Sequence, residues 1–201
     1  MKRYPILSFC SRVCLLSLCL LSLTAHAQER FSYTAEVVAG VGICRGPIAF
    51  VTPQFVARYD LGNGFRVGAG AGARVGLPCE QYITTNGTFD RRSFCGELDI
   101  PVFLRLDYCR ERLYAGIDAG YAIGVFSIFG APKEPCYSGF FVEPHIGLRL
   151  GKTRGLAFGV IMQQSIVYNE VHTVTSESSS RTVTRQELLT PAITLRYISR
   201  F

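Results

Sequence analysis

After Leu23 the 201-residue chain contains no apolar run long enough to cross a bilayer as a helix, which takes about 20 mostly apolar residues. If the remainder spans a membrane, it does so as a closed β structure, the other arrangement that satisfies every backbone polar group internally. Lysine is almost missing from the same region, where only Lys133 and Lys152 occur. A soluble β sandwich or lipocalin-like barrel would show a solvent face rich in Lys, Glu and Thr, and that face has no counterpart here. No CxxC spacing occurs and His172 is the only histidine in a predicted loop, so a zinc site is not expected. No phosphate loop or nucleotide motif is present, and no cofactor is expected.

Residues 1–27 carry Lys2, Arg3 and Arg12, then the apolar run Val13 to Leu23, then Ala25-His26-Ala27. This is the shape of a secretory signal peptide with an A-x-A cleavage site, so the expected organisation is a signal peptide at 1–27 and one domain at 28–201. Setting the signal aside leaves 18 basic residues against 15 acidic ones, a net charge of +3 rather than the +6 of the whole chain. The basic excess therefore does not point to nucleic acid.

Period-two alternation dominates the rest and recurs eight times. The clearest stretch, Phe65 to Leu77, sets Phe65, Val67, Ala69, Ala71, Ala73, Val75 and Leu77 against Arg66, Gly68, Gly70, Gly72, Arg74 and Gly76. Similar patterns predict strands over Phe31 to Ile43, Ala49 to Leu61, Glu97 to Tyr108, Leu113 to Val125 and Phe140 to Leu150. A seventh starts at Leu156 and an eighth ends at Phe201. The polar face is rich in Gly and Arg, which suits a crowded interior better than a solvated exterior. The expected fold is all-β: an eight-stranded antiparallel transmembrane β-barrel with short periplasmic turns and longer extracellular loops. The short turns are LGNG (61–64), CRER (109–112) and GKTRG (151–155), and the long connections are Pro78 to Gly96, Ser127 to Gly139 and a polar hairpin around Thr173 to Thr184. Pro53, Pro101, Pro144 and Pro191 fall within strand patterns, where bulges or irregular pairing are expected.

The chain closes on Phe201, preceded in alternation by Tyr197, Leu195 and Ile193, with Ser199 as the interruption. A terminal aromatic on an alternating strand is the address that outer-membrane barrels present to their assembly machinery. The expected location is the outer membrane, with its lipid and that machinery as partners.

Taking the polar face as inward collects Glu36, Asp60, Glu97, Asp99, Asp107, Asp118 and Glu143 against Arg58, Arg66, Arg74, Arg105, Arg149, Arg196 and Arg200. Eight strands leave just enough room for side chains to fill the interior, and buried charges need partners. A plugged, ion-paired lumen is expected, with no conducting pore. Glu143 and His145 share a face beside the strand carrying Ser165, the residue inventory of a nucleophilic hydrolase. All three point into a filled interior, so no catalysis is expected. Of the cysteines, Cys44, Cys79, Cys95 and Cys136 fall in predicted outer loops and Cys109 in a periplasmic turn. Cys79 and Cys95 bracket one loop and form the natural pair, leaving Cys44 with Cys136, although four cysteines allow three connectivities.

The segments ELDIPVFLRL (97–106), LYAGIDAGYAIG (113–124) and GFRVGAGAGARVG (64–76) resemble the small outer-membrane β-barrel domain family of Bacteroidetes, which includes PorT-like proteins. The strongest element is the L-x-I-P core at Leu98 to Pro101. The resemblance implies an eight-stranded outer-membrane barrel. The leading expectation for function is a structural or surface-interaction role through the outer loops, with an extracellular or envelope protein as a possible partner. The alternatives are a subunit of a secretion or envelope complex and, further off, a small-solute channel or lipid-modifying enzyme.

Overall fold

A computed structural model of the chain describes residues 30–43, 49–129, 139–175 and 178–200. They contain no helix and nine strands: β1 (Phe31–Gly42), β2 (Ala49–Gly62), β3 (Phe65–Gly72), β4 (Arg74–Thr85), β5 (Thr88–Arg110), β6 (Leu113–Phe129), β7 (Gly139–Arg149), β8 (Arg154–Val174) and β9 (Ser179–Arg200). Apart from β3 and β4, each strand pairs with the next around a closed circuit, and β1 joins both β2 and β9. β3 and β4 follow one another in a single place between β2 and β5, so the ring has eight places.

The predicted strand Phe65 to Leu77 is therefore two strands with a break at Ala73. Ala73 lies across from Pro53 and donates its N–H to the Pro53 carbonyl at 3.0 Å. Proline has no N–H to return, so the ladder loses one bond at that point. Of the other three prolines expected to cause bulges or irregular pairing, one does so and two do not. Register runs without a shift through Pro101, opposite Ala122, and through Pro191, opposite Met162. Only the β7–β8 ladder passes over Pro144, together with Glu143. A missing N–H removes a bond without moving the neighbours' register.

Two turns follow from Asn-Gly pairs. Asn63 and Gly64 have φ of 54° and 87°, and Asn86 and Gly87 have 48° and 79°. Positive φ at both positions is what a two-residue type I′ hairpin requires, and Asn-Gly adopts it at least cost. The second pair overturns the reading of Pro78 to Gly96 as a loop: β4 and β5 continue through it as a hairpin closed by Thr85 opposite Thr88. The segment lacks an alternating apolar face, so hydrophobic periodicity missed it, although the Asn-Gly signal was there to be read. The CRER turn likewise shrinks to Glu111 and Arg112, and Cys109 is a buried strand residue.

The two long hairpins meet above the ring. Low in the ring β4 pairs with β2 through Val51 opposite Val75, and β8 pairs with β7 up to Phe141 opposite Gln163. β2 begins at Ala49 and β7 at Gly139, so beyond those points one edge of β4 and one edge of β8 are free. They pair with each other in parallel, Cys79–Thr85 against Ile166–His172. An unpaired strand edge is a row of unmet hydrogen bonds, and here each edge meets the other's. The Asn86 N–H donates to the His172 carbonyl and the Val174 N–H to Asn86 Oδ1, both at 2.8 Å. Ile83, Ile166 and Tyr168 are buried in this extension.

The distribution of polarity is the reverse of a soluble protein's. Outward side chains are apolar and exposed, among them Leu104 (70%), Phe55 (68%) and Val41 (64%), whereas Arg196 (1%) and Glu36 (2%) are buried inside.

Candidate functional site: a buried charge network

The interior is built from the inward-facing parity of each strand and falls into layers. In the middle layer β1 contributes Thr34 and Glu36, β2 Gln54 and Arg58, β5 Arg105 and Asp107, β6 Asp118, β7 Glu143 and His145, and β9 Thr194 and Arg196. Arg105 is directly opposite Asp118, and Asp118 is opposite Glu143. Arg105 donates to both Asp118 oxygens at 2.5 and 2.7 Å and to Glu36 Oε1 at 2.6 Å. Arg196 reaches Glu36 Oε2, Asp118 Oδ2 and Glu143 Oε2, each at 2.8 Å. Arg58 donates to Glu36 Oε1 at 2.6 Å and lies 2.9 Å from Asp107 Oδ2. Glu36 therefore receives three guanidiniums, and also the Gln54 amide and the Thr34 hydroxyl at 3.0 Å each. Such charge-assisted, partly bidentate bonds are the strong class of hydrogen bond.

Glycine makes the crowding possible. Gly116 is opposite both Asp107 and His145, and an added Cβ there would lie 2.4 Å from Asp107 Oδ1 and 2.6 Å from His145 Nε2. Its bare backbone lets those two side chains approach to 3.7 Å over it. Gly40 plays the same part for the Phe50 ring.

Above the charges, on the hairpin side, lies an apolar layer of Val38, Phe50, Val56, Phe103, Phe141, Ile161 and Ala192. Arg74 sits over it, 5.3 and 5.8 Å from the Phe50 and Phe141 ring centres. It holds Asp99 through Nε at 2.9 and 3.0 Å and Gln163 Oε1 through Nη1 at 2.7 Å. Glu97 is fully buried on the same side. Toward the turns, Cys109, Tyr114, Ala157 and Ile198 close the other end.

The expected set is thus mostly brought together, but it is not one network. Glu36, Arg58, Arg105, Asp118, Glu143 and Arg196 form the centre, and Arg74 with Asp99 is a separate pair beyond the aromatic layer. Two residues are corrected. Arg66 lies at the turn end, 3.5 Å from a half-exposed Asp60, and Arg149 points at the Cys109 sulfur at 4.0 Å. Both have the right parity, but Arg149 lies beyond the central carboxylates, and Arg66, although in register with Asp107 on β5, reaches Asp60 on β2 instead. Sequence reading also missed Thr34, Gln54, Gln163 and Thr194, neutral residues on the same parity that complete the hydrogen bonding.

Glu143, His145 and Ser165 do not assemble. The Ser165 hydroxyl donates to the Leu188 carbonyl at 3.3 Å and accepts from Thr190 at 3.1 Å. His145 faces Asp107 and the Glu143 carbonyl instead. Cys79 and Cys95 are directly opposed in the β4–β5 ladder, while Cys44, Cys136 and Phe201 lie outside the described residues. Tyr197 and Leu195 face outward and are exposed. No family model matches the chain, and no curated protein matches it at a significant level.

Proposed function

We propose that the ring is an eight-stranded β-barrel of the outer membrane, with its turns in the periplasm and its paired hairpins outside the cell. The observation that carries this reading is the reversed polarity: a ring with buried arginines and exposed leucines has its apolar solvent on the outside. The dimensions agree. On β6 the outward apolar residues run from Leu113 to Val125, which at about 3.3 Å per residue and a tilt of about 45° is roughly 28 Å of height, close to the apolar band of such barrels. The barrel serves a structural or surface-interaction role through the sheet formed by its two hairpins, because the interior is filled by paired charges and an aromatic layer. Unboiled protein should migrate differently from boiled protein in a detergent gel, fractionate with the outer membrane, and carry no steady current in a planar bilayer. Full-length protein recovered from the soluble periplasm without detergent would overturn the assignment, and steady conductance would overturn the plugged interior.

The same reading places Cys79 and Cys95 in an oxidising compartment. Directly opposed residues of an antiparallel pair have Cα atoms about 4.5–5.5 Å apart, within the span of a disulfide. Non-reducing peptide mapping is expected to find these two joined and Cys109, which is buried at the other end of the ring, as a free thiol. A bridge to Cys109 within one chain would contradict the topology.

A further inference from the structure

Charge is unequally divided between the two ends of the ring. Around the turns stand Arg66, Arg110, Arg112, Arg149, Lys152 and Arg154 against Asp60 and Glu111. The hairpin extensions, Cys79 to Cys95 and Ile166 to Glu187, carry five acids and four arginines. Of the six basic residues at the turns, Arg66 alone has a carboxylate partner among the described residues. Arg149 turns toward Cys109, and Arg110, Arg112, Lys152 and Arg154 are left without a carboxylate among the described residues.

Two hollows adjoin there. One, of about 430 Å³, is on the outer surface and is lined by Tyr108, Leu113, Ala115 and Ile146, with Arg110 and Glu111 at its polar end. Register explains it: Tyr108 is opposite Ala115, and Ala115 is opposite Ile146, so a lone methyl forms the floor between two large side chains. The second, of about 460 Å³, is lined by Arg112, Arg149, Gly151 and Lys152 and shares Glu111 with the first. The Arg149 N–H donates to the Arg112 carbonyl at 2.7 Å, which ties the two turns together. An apolar furrow at Ala115 thus lies beside a hollow with three cationic residues in its wall, the two sharing Glu111.

We infer that this face binds an anionic phospholipid of the periplasmic leaflet, with one acyl chain along Ala115 between Tyr108 and Ile146 and the phosphate against Arg112 and Lys152. The inference rests on the transmembrane reading above, which puts the furrow at the depth of the acyl chains and the turns at the headgroups. Basic residues beside a bilayer select anionic headgroups, and the apolar furrow distinguishes a lipid from a free phosphate.

The test uses full-length protein in a non-ionic detergent, titrated with phosphatidylglycerol or with phosphatidylcholine of the same chains, and bound lipid is counted by native mass spectrometry. Phosphatidylglycerol is expected to bind about tenfold tighter. The double variant Arg112→Gln/Lys152→Gln should remove most of that preference and leave phosphatidylcholine unchanged, whereas Ala115→Phe should weaken both lipids by filling the furrow. Equal affinity for the two lipids, an unchanged preference in the double variant, or displacement of the lipid by inorganic phosphate would each overturn the inference. The heat-shifted gel band, expected in the wild type and in all variants, reports separately on the barrel: its absence from the wild type would sink the transmembrane reading itself.

Discussion

Arg105→Ala should destabilise the folded ring by about 3–5 kcal/mol, the cost of removing one partner from a buried ionic cluster. Arg105 spans the interior from Glu36 to Asp118. Its removal leaves Asp118 with only the Arg196 guanidinium and Glu36 with Arg196 and Arg58, all of them almost fully buried. Arg66→Ala is the matched control. Its partner Asp60 is half exposed, so that change should stay within about 1 kcal/mol, as surface pairs do. Urea titration read by the fraction of heat-shifted gel band measures both. A cost for Arg105→Ala no larger than that for Arg66→Ala would mean that water fills the middle layer and that the pairs do not hold the ring together.

The second large effect is steric. An added Cβ at Gly40 would lie 2.5 Å from the Phe50 ring, and the three atoms nearest to it all belong to that ring. Gly40→Ala should therefore cost about 1–3 kcal/mol by overpacking, despite alanine's advantage over glycine in an ordinary strand. Shortening the obstacle with Phe50→Leu should recover most of it, so that the double variant is more stable than the two separate costs imply. Urea midpoints of the four proteins give the coupling. Strict additivity would show that the Phe50 ring yields freely and that the aromatic layer is loosely packed.

Much of the interior was legible because strand parity is a local property. Once Phe65 to Leu77 or Leu98 to Tyr108 is recognised as alternating, Arg74, Asp99, Arg105 and Asp107 fall on one face without further information. Parity says nothing about height along the ring or about which neighbour a long side chain reaches: Arg149 shares the inward face but lies beyond the central carboxylates, and Arg66, opposite Asp107, pairs with Asp60 at the turn end. The aromatic layer was missed for a related reason. Phe50, Phe103 and Phe141 stand on the face otherwise read as polar, and an aromatic on that face is recognisable as interior packing only when the glycines that seat it are found on the neighbouring strand.

What the sequence determined by itself is local: the alternation of outward apolar with inward polar residues, the Asn-Gly turns, and a glycine-rich inward face. These depend on backbone geometry within a few residues. Tertiary structure alone decided the partners. Arg196 meets Glu36 across 160 residues of chain, and β4 meets β8 in parallel only because β2 and β7 begin lower in the ring and leave both edges free. Contacts across a closed ring depend on its diameter, on the stagger between strands and on where each strand begins, and those are set by all the pairings together.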